Sequence, residues 1–208
     1  MDEKDCEECI KFRNDVSKLD TNKIDINKNK IVKGFGNYNS KTLIIGKGPG
    51  SKGAAVTGIP FTGDDSGRIV QKALVELELS DNESNSISIY KNFIPTRDSL
   101  KCFLTNVFRC YNYKRIKKSD ERLKKYNEHC LEHLKDEINK LDNLEKIAVV
   151  GKSTKDCIEE AYLEELKNKY DLVCTYHPSY YKHFYYENHK HLSEKSCISR
   201  FIKEFNKN

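Results

Sequence analysis

The sequence predicts an α/β fold: one domain over residues 1–208, built on a central four-stranded, mainly parallel sheet with helices on both faces. Three observations predict it. Four apolar, partly β-branched runs have strand length: Thr42–Gly46, Cys102–Phe108, Lys146–Gly151 and Leu172–Tyr176. These runs are near-continuous rather than alternating, the pattern of strands covered on both faces. Segments with helical apolar spacing lie between them, and strand–helix alternation is the signature of a parallel sheet.

The elements follow in order. Cys6–Leu19 reads as a short helix opening on C-x-x-C, and Asp20–Lys30, rich in Lys, Asn and Asp, reads as a surface loop. The first strand runs into GKGPGSKGAAVTGIPFTGDDSG, Gly46 to Gly67, which holds seven of the chain's ten glycines. Glycine costs conformational entropy, so such a density marks a backbone that turns tightly or approaches a ligand. A helix follows over Gly67–Leu79, with Asp64, Asp65 or Ser66 available as its N-cap. The longest helix is Ser119–Leu141. Ser119 suits its N-cap, Asp120 and Glu121 suit its first turn, and Leu123, Cys130, Leu131, Leu134, Ile138 and Leu141 form its apolar stripe. Thr154–Lys167 and His191–Phe205 complete the helices.

Composition bounds the function. The chain has 208 residues, 37% hydrophobic and 33% charged, with a formal net charge of +5. That charge permits nucleic-acid binding, although solvated lysines on helix faces explain it equally well. No run of apolar residues is long enough to span a membrane, and the acidic start MDEKDCEEC is not a signal peptide, so an intracellular, non-secreted protein without a membrane partner is expected. In that setting a disulfide framework is not expected from the eight cysteines. Cys102 and Cys174 fall in strand runs and read as buried thiols; Cys157 and Cys197 fall on helical patterns and read as packed. Cys6, Cys9, Cys110 and Cys130 are left. Cys6 and Cys9 sit in the polar DCEEC, where nothing drives burial.

In a parallel sheet, ligands bind beyond the carboxyl ends of the strands. Here those ends carry Gly46-Lys47-Gly48-Pro49-Gly50, then Asn106, then Gly151-Lys152-Ser153-Thr154, then His177-Pro178-Ser179. Their convergence on one rim is a stronger signal than any single motif. GKST at 151–154 is not a phosphate-binding P-loop, because Lys146 stands where that motif needs glycine. Gly48, Gly50 and Gly53 spell G-x-G-x-x-G, but AAVTGIPFTG follows where a dinucleotide fingerprint requires a helix.

At these residues the chain resembles the uracil-DNA glycosylase superfamily, especially its iron–sulfur members in families 4 and 5. The resemblance covers nearly the whole chain. VKGFGNYNSKTLIIGKGPG from Val32, with Gly34 and Gly36, is similar to the family 4 first motif. TGIPFTGDDSG from Thr57 is similar to the family 5 loop. TNVFRC at Thr105–Cys110 resembles the second motif, and YHPS at Tyr176–Ser179 resembles the HPS motif. The resemblance implies a 4Fe–4S cluster on Cys6, Cys9, Cys110 and Cys130; a structural zinc on the same four thiolates is the alternative. The Cys110–Cys130 gap is longer than usual in the family, and Tyr111 and Asn112 replace its usual prolines.

The resemblance also implies roles. Phe61 would stack on the flipped uracil, where the alternative is a core phenylalanine anchoring the loop. Asn106 would bond its N3–O4 edge, where the alternative is a strand-end turn, and His177 would donate to O2, where the alternative is a satisfied structural histidine. Gly46, Lys47, Gly48, Gly50 and Ser179 would line the substrate site, with Ser153 or Thr154 as further phosphate contacts and Tyr180 or Tyr181 as the wedge. Lys47 departs from the family, which has Glu (family 4) or an apolar residue (family 5) there. The water-orienting role therefore falls on Asp64, with Asp65 as the neighbouring alternative. The implied activity is excision of uracil or another deaminated base from DNA by a monomeric, monofunctional hydrolase with no lyase step. Two alternatives are a non-catalytic or product-capturing binder of such DNA, with Lys47 trapping an abasic aldehyde, and an unrelated zinc-stabilised α/β protein.

Overall fold

The computed structural model describes residues 31–82, 95–110, 121–180 and 192–207, the side chains of 121–127 excepted. The helix expected over Cys6–Leu19, the loop Asp20–Lys30, and Cys6, Cys9, Tyr111, Asn112, Ser119, Tyr181 and His191 lie outside the described residues.

Five strands form one sheet in the order β1-β3-β2-β4-β5. They are β1 (Phe35–Gly36), β2 (Thr42–Gly46), β3 (Phe103–Asn106), β4 (Lys146–Val150) and β5 (Asp171–Thr175). All neighbours among β2–β5 pair in parallel, and β1 adds to β3 antiparallel. The expected four strands are therefore present and a fifth caps one edge. A two-residue strand has no periodicity of its own; pairing with Phe103 and Leu104 makes it a strand.

The helices are α1 (Ala54–Thr57), α2 (Asp65–Glu76), α3 (Glu121–Ile138), α4 (Lys152–Lys155), α5 (Glu160–Lys169) and α6 (Glu194–Phe205). Alternation along β2 divides the core. Leu43 and Ile45 pack with Leu131, Leu134 and Ile138 of α3 and with Leu163 and Leu166 of α5. Ile44 packs on the opposite face with Ile69, Val70 and Leu74 of α2 and with Ile198 and Phe201 of α6. Each fully buried side chain of this kind contributes about 1.5–3 kcal/mol. Arg68 and Lys72 on α2 both pair with Glu194 on α6, at 2.8 and 2.7 Å, and tie that layer together. No helix among the described residues is long and apolar enough to cross a membrane.

Two sequence expectations change. The helix expected over Thr154–Lys167 is two helices: the break between them turns Ile158 into the core, and α5 restarts with Tyr162, Leu163 and Leu166 inward. Cys174, expected buried, is exposed. It lies on β5, the edge strand, where burial is incomplete: Asp171 and Cys174 are exposed and Leu172 is half-buried. Cys102, by contrast, is fully buried, and burial pushes its thiol up to about 12.

The connections place helices by handedness. The chain leaves β2 over one face by α2 to reach β3, then returns over the other face by α3 to reach β4 beyond β2. Right-handed crossovers in opposite directions must use opposite faces. The loops after β2 and β4 thus part, and a crevice opens at the carboxyl ends of these strands.

Candidate active site

On the same rim of the sheet, β2 and β3 end side by side, Gly46 opposite Asn106. The pairing continues one step further, as Val107 N–H donates to Gly46 O and Phe108 N–H to Lys47 O, both at 2.9 Å. Glycine at position 46 leaves room for both side chains: a Cβ there would lie 2.5 Å from Asn106 Oδ1 and 2.8 Å from Phe61 Cζ, so one of them would have to shift. The strand end, the amide and the aromatic ring therefore meet at one point. Asn106 is 4% exposed, and its Nδ2 has no hydrogen-bond partner. A buried donor left unpaired costs about 1–3 kcal/mol, a cost that an acceptor arriving in the pocket removes.

Phe61 is held in a conformation its sequence does not favour. Its φ is +55°, in the left-handed region that side chains other than glycine rarely adopt. Such strain persists only where neighbours enforce it. Gln71 Nε2 on α2 donates to Phe61 O at 3.2 Å, and Thr62 Oγ1 donates to Ile59 O at 2.8 Å. Gly67 allows α2 to come up beneath: a Cβ there would lie 2.6 Å from the Phe61 carbonyl carbon.

Of the three cap candidates, Asp64 takes the position. Its Oδ1 accepts from Gly67 N–H at 2.8 Å and caps α2. Its Oδ2 faces the glycine loop, where a Cβ on Gly50 or Gly53 would come within 2.4 or 2.3 Å of it. Asp65 instead pairs with Arg68 at 3.1 Å. Lys47 and Gly48 are half-buried between Gly46 and the buried Pro49.

His177 lies just beyond β5. Gly151 ends β4 against it, since a Cβ on Gly151 would lie 3.0 Å from His177 Cβ. Ser179 N–H donates to His177 Nδ1 at 3.2 Å, and Ser179 Oγ is 2.7 Å from the same nitrogen. A backbone N–H only donates, so Nδ1 is the acceptor and the neutral ring carries its proton on Nε2. Ser179 thus sets the tautomer of His177. Ser153 is exposed at the start of α4, whereas Thr154 is fully buried and donates to Val150 O at 2.6 Å. That hydroxyl is committed to the turn after β4, so of the two phosphate-contact candidates only Ser153 faces solvent.

A buried charge network behind this strand end has no counterpart in the sequence reading. Glu137 on α3 accepts from Gly34 N–H at 3.0 Å, from Thr105 Oγ1 at 2.5 Å and from Arg109 Nη2 at 2.9 Å. Arg109 Nη2 also donates to His133 O at 2.9 Å. Arg109 and Glu137 are nearly inaccessible, so each charge depends on the other. Thr105 and Arg109 flank the Asn106 turn, and the network clamps it to α3. Thr105 and Arg109 interrupt the run CFLTNVFRC, but Glu137 lies in the polar KDEINK and gives no sign of burial.

Cys110 and Cys130 are both buried in the α3 side of the core. Ile31 pairs with Cys110 in an isolated bridge, and Val32 N–H donates to Arg109 O at 2.8 Å. Among the described residues, no cluster of three or more candidate ligands stands by itself.

The signature of the Uracil DNA glycosylase superfamily matches residues 33–203. No curated protein matches the sequence. Solved structures do match, among them that of wild-type Pedobacter heparinus SMUG2, at 15% identity over 80% of this chain and 75% of that chain, with a TM-score of 0.48. The matched stretch runs from just before β1 into the last turn of α6, taking in Gly46, Phe61, Asn106 and His177, and so this chain belongs to the uracil DNA glycosylase superfamily.

Proposed function

We propose that this chain is a monofunctional uracil-DNA glycosylase of the iron–sulfur type, close to families 4 and 5, that hydrolyses the N-glycosidic bond of uracil in DNA and so opens base-excision repair. Other deaminated bases are further candidate substrates. The observation that carries the reading is the unpartnered Nδ2 of Asn106, buried beside the Phe61 ring at the end of β2. A flat base with a carbonyl beside an N–H answers both needs: its face meets the ring and its edge meets the amide.

The steps follow from the residues. Phe61, fixed by α2, stacks on the flipped base. Asn106 Nδ2 donates to uracil O4, and its Oδ1 accepts from N3–H. This pairing selects against cytosine, which has a donor where uracil has O4. As the C1′–N1 bond breaks, the electron pair moves onto the base and negative charge grows on O2. His177 donates from Nε2 to that oxygen, and a neutral imidazole suffices. Water attacks C1′ from the face opposite the departing base and loses a proton, leaving an abasic site. Asp64 orients that water through Oδ2, its Oδ1 being committed to the cap. No amine takes part, so no strand cleavage follows. A 4Fe–4S cluster on Cys6, Cys9, Cys110 and Cys130 would tie the N-terminal segment to the β3 end and α3, a structural task rather than a chemical one.

Single-turnover excision from a U·G duplex tests the pocket. Asn106→Ala and His177→Ala should each slow it by about 10²–10³-fold, the usual loss for an oxyanion donor. Wild-type rates in both variants would refute the assignment.

A further inference from the structure

Tyr176 and Tyr180 are exposed over 48% and 41% of their surface. They flank the turn that carries His177, one directly before it and one directly after Ser179. Their rings stack on each other, with centroids 4.5 Å apart and planes 12° from parallel. Both backbones are pinned: Tyr176 N–H donates to Glu204 Oε2 at 2.7 Å, and Tyr180 N–H donates to His177 O at 2.8 Å. Mutual stacking covers one face of each ring and leaves substantial aromatic surface in water. Near-parallel rings at this separation have the geometry of offset-stacked bases, and such surfaces take any nucleobase by its π-face. The surroundings suit a polyanion, since Ser153 and Lys155 are exposed at the neighbouring strand end and the chain carries a net charge of +5.

We propose that Tyr176 and Tyr180 act as one unit, a two-ring platform on which an unpaired nucleobase flanking the flipped nucleotide stacks. The inference rests on reading the adjacent crevice as a DNA glycosylase pocket. It changes the part given to Tyr180: with one face covered by Tyr176, this ring extends a stack rather than acting as a lone wedge. The protein should then favour DNA whose flanking base is unpaired.

The test places 2-aminopurine beside a tetrahydrofuran abasic analogue, in single-stranded and in duplex oligonucleotides, and titrates them with the full chain. Binding of the wild-type protein should quench the probe more strongly in the single strand. Tyr176→Ala and Tyr180→Ala should each weaken single-strand binding by about 5- to 100-fold and abolish the difference in quenching. The double variant should lose about as much as either single variant, because the pair acts as one surface. Tyr176→Phe should behave as wild type, because the ring remains. Loss in Tyr180→Ala alone would restore the lone wedge and overturn the proposal. Unchanged affinity in both alanine variants, as expected if the rings cover a protein partner instead, would also overturn it. Uracil release measured on the same preparation separates the two readings. Quenching without release would sustain the platform and refute the glycosylase, and release with unaltered quenching in the variants would do the reverse.

Discussion

Asp64 caps α2 and is proposed to orient the attacking water, and substitution can separate the two. Alanine removes the cap of α2 and should cost about 0.5–2 kcal/mol of stability. Asparagine is an equally good cap, so Asp64→Asn should unfold at nearly the wild-type denaturant concentration while excising uracil far more slowly. Lys47→Ala should do less harm to excision than Asp64→Asn; the reverse order would make Lys47 the catalytic residue. The cysteines give a further residue-scale prediction. The Cys102 thiol, pushed up to about 12 by burial, stays protonated at any ordinary working pH, and Cys197 is fully buried. Brief alkylation of the native protein followed by peptide mapping should label Cys174 well ahead of both. The roles proposed for Asn106 and His177 come from the sequence only through motif resemblance. The tautomer of His177 was not, because it depends on how the turn aims Ser179 N–H.

At the scale of elements, the strands were legible because continuous apolar runs have few other uses. The strained turn at Phe61 was not: a positive φ at phenylalanine runs against its local preference and exists only because α2 rises beneath it. The α4–α5 break was hidden for a similar reason, as apolar spacing carries through it unbroken while the core demands Ile158. The clamp formed by Glu137 and Arg109 was illegible because its members lie on separate elements and meet only after folding. Removing one partner leaves a buried charge uncompensated, so Glu137→Ala should cost about 3–5 kcal/mol in a denaturant titration. Since Thr105 and Arg109 bracket Asn106, variants that still fold should also lose excision rate. Stability without the clamp would show α3 to be held by its Leu131, Leu134 and Ile138 packing alone.

The whole molecule is a doubly wound sheet with its switch point between β2 and β4, and the proposed metal centre on Cys6, Cys9, Cys110 and Cys130 would fasten the N-terminal segment to it. Protein purified without oxygen should contain iron and acid-labile sulfide in equal amounts; zinc without sulfide would favour the alternative centre. The central claim is that the pocket beyond β2, β3 and β5 removes uracil. The most direct measurement is base release from duplexes carrying uracil, hypoxanthine, xanthine or unmodified cytosine, using the same anaerobic preparation. The account predicts release of free uracil, an intact strand bearing an abasic site, and no attack on cytosine. Tight binding of the uracil duplex with no base released over many hours would contradict it.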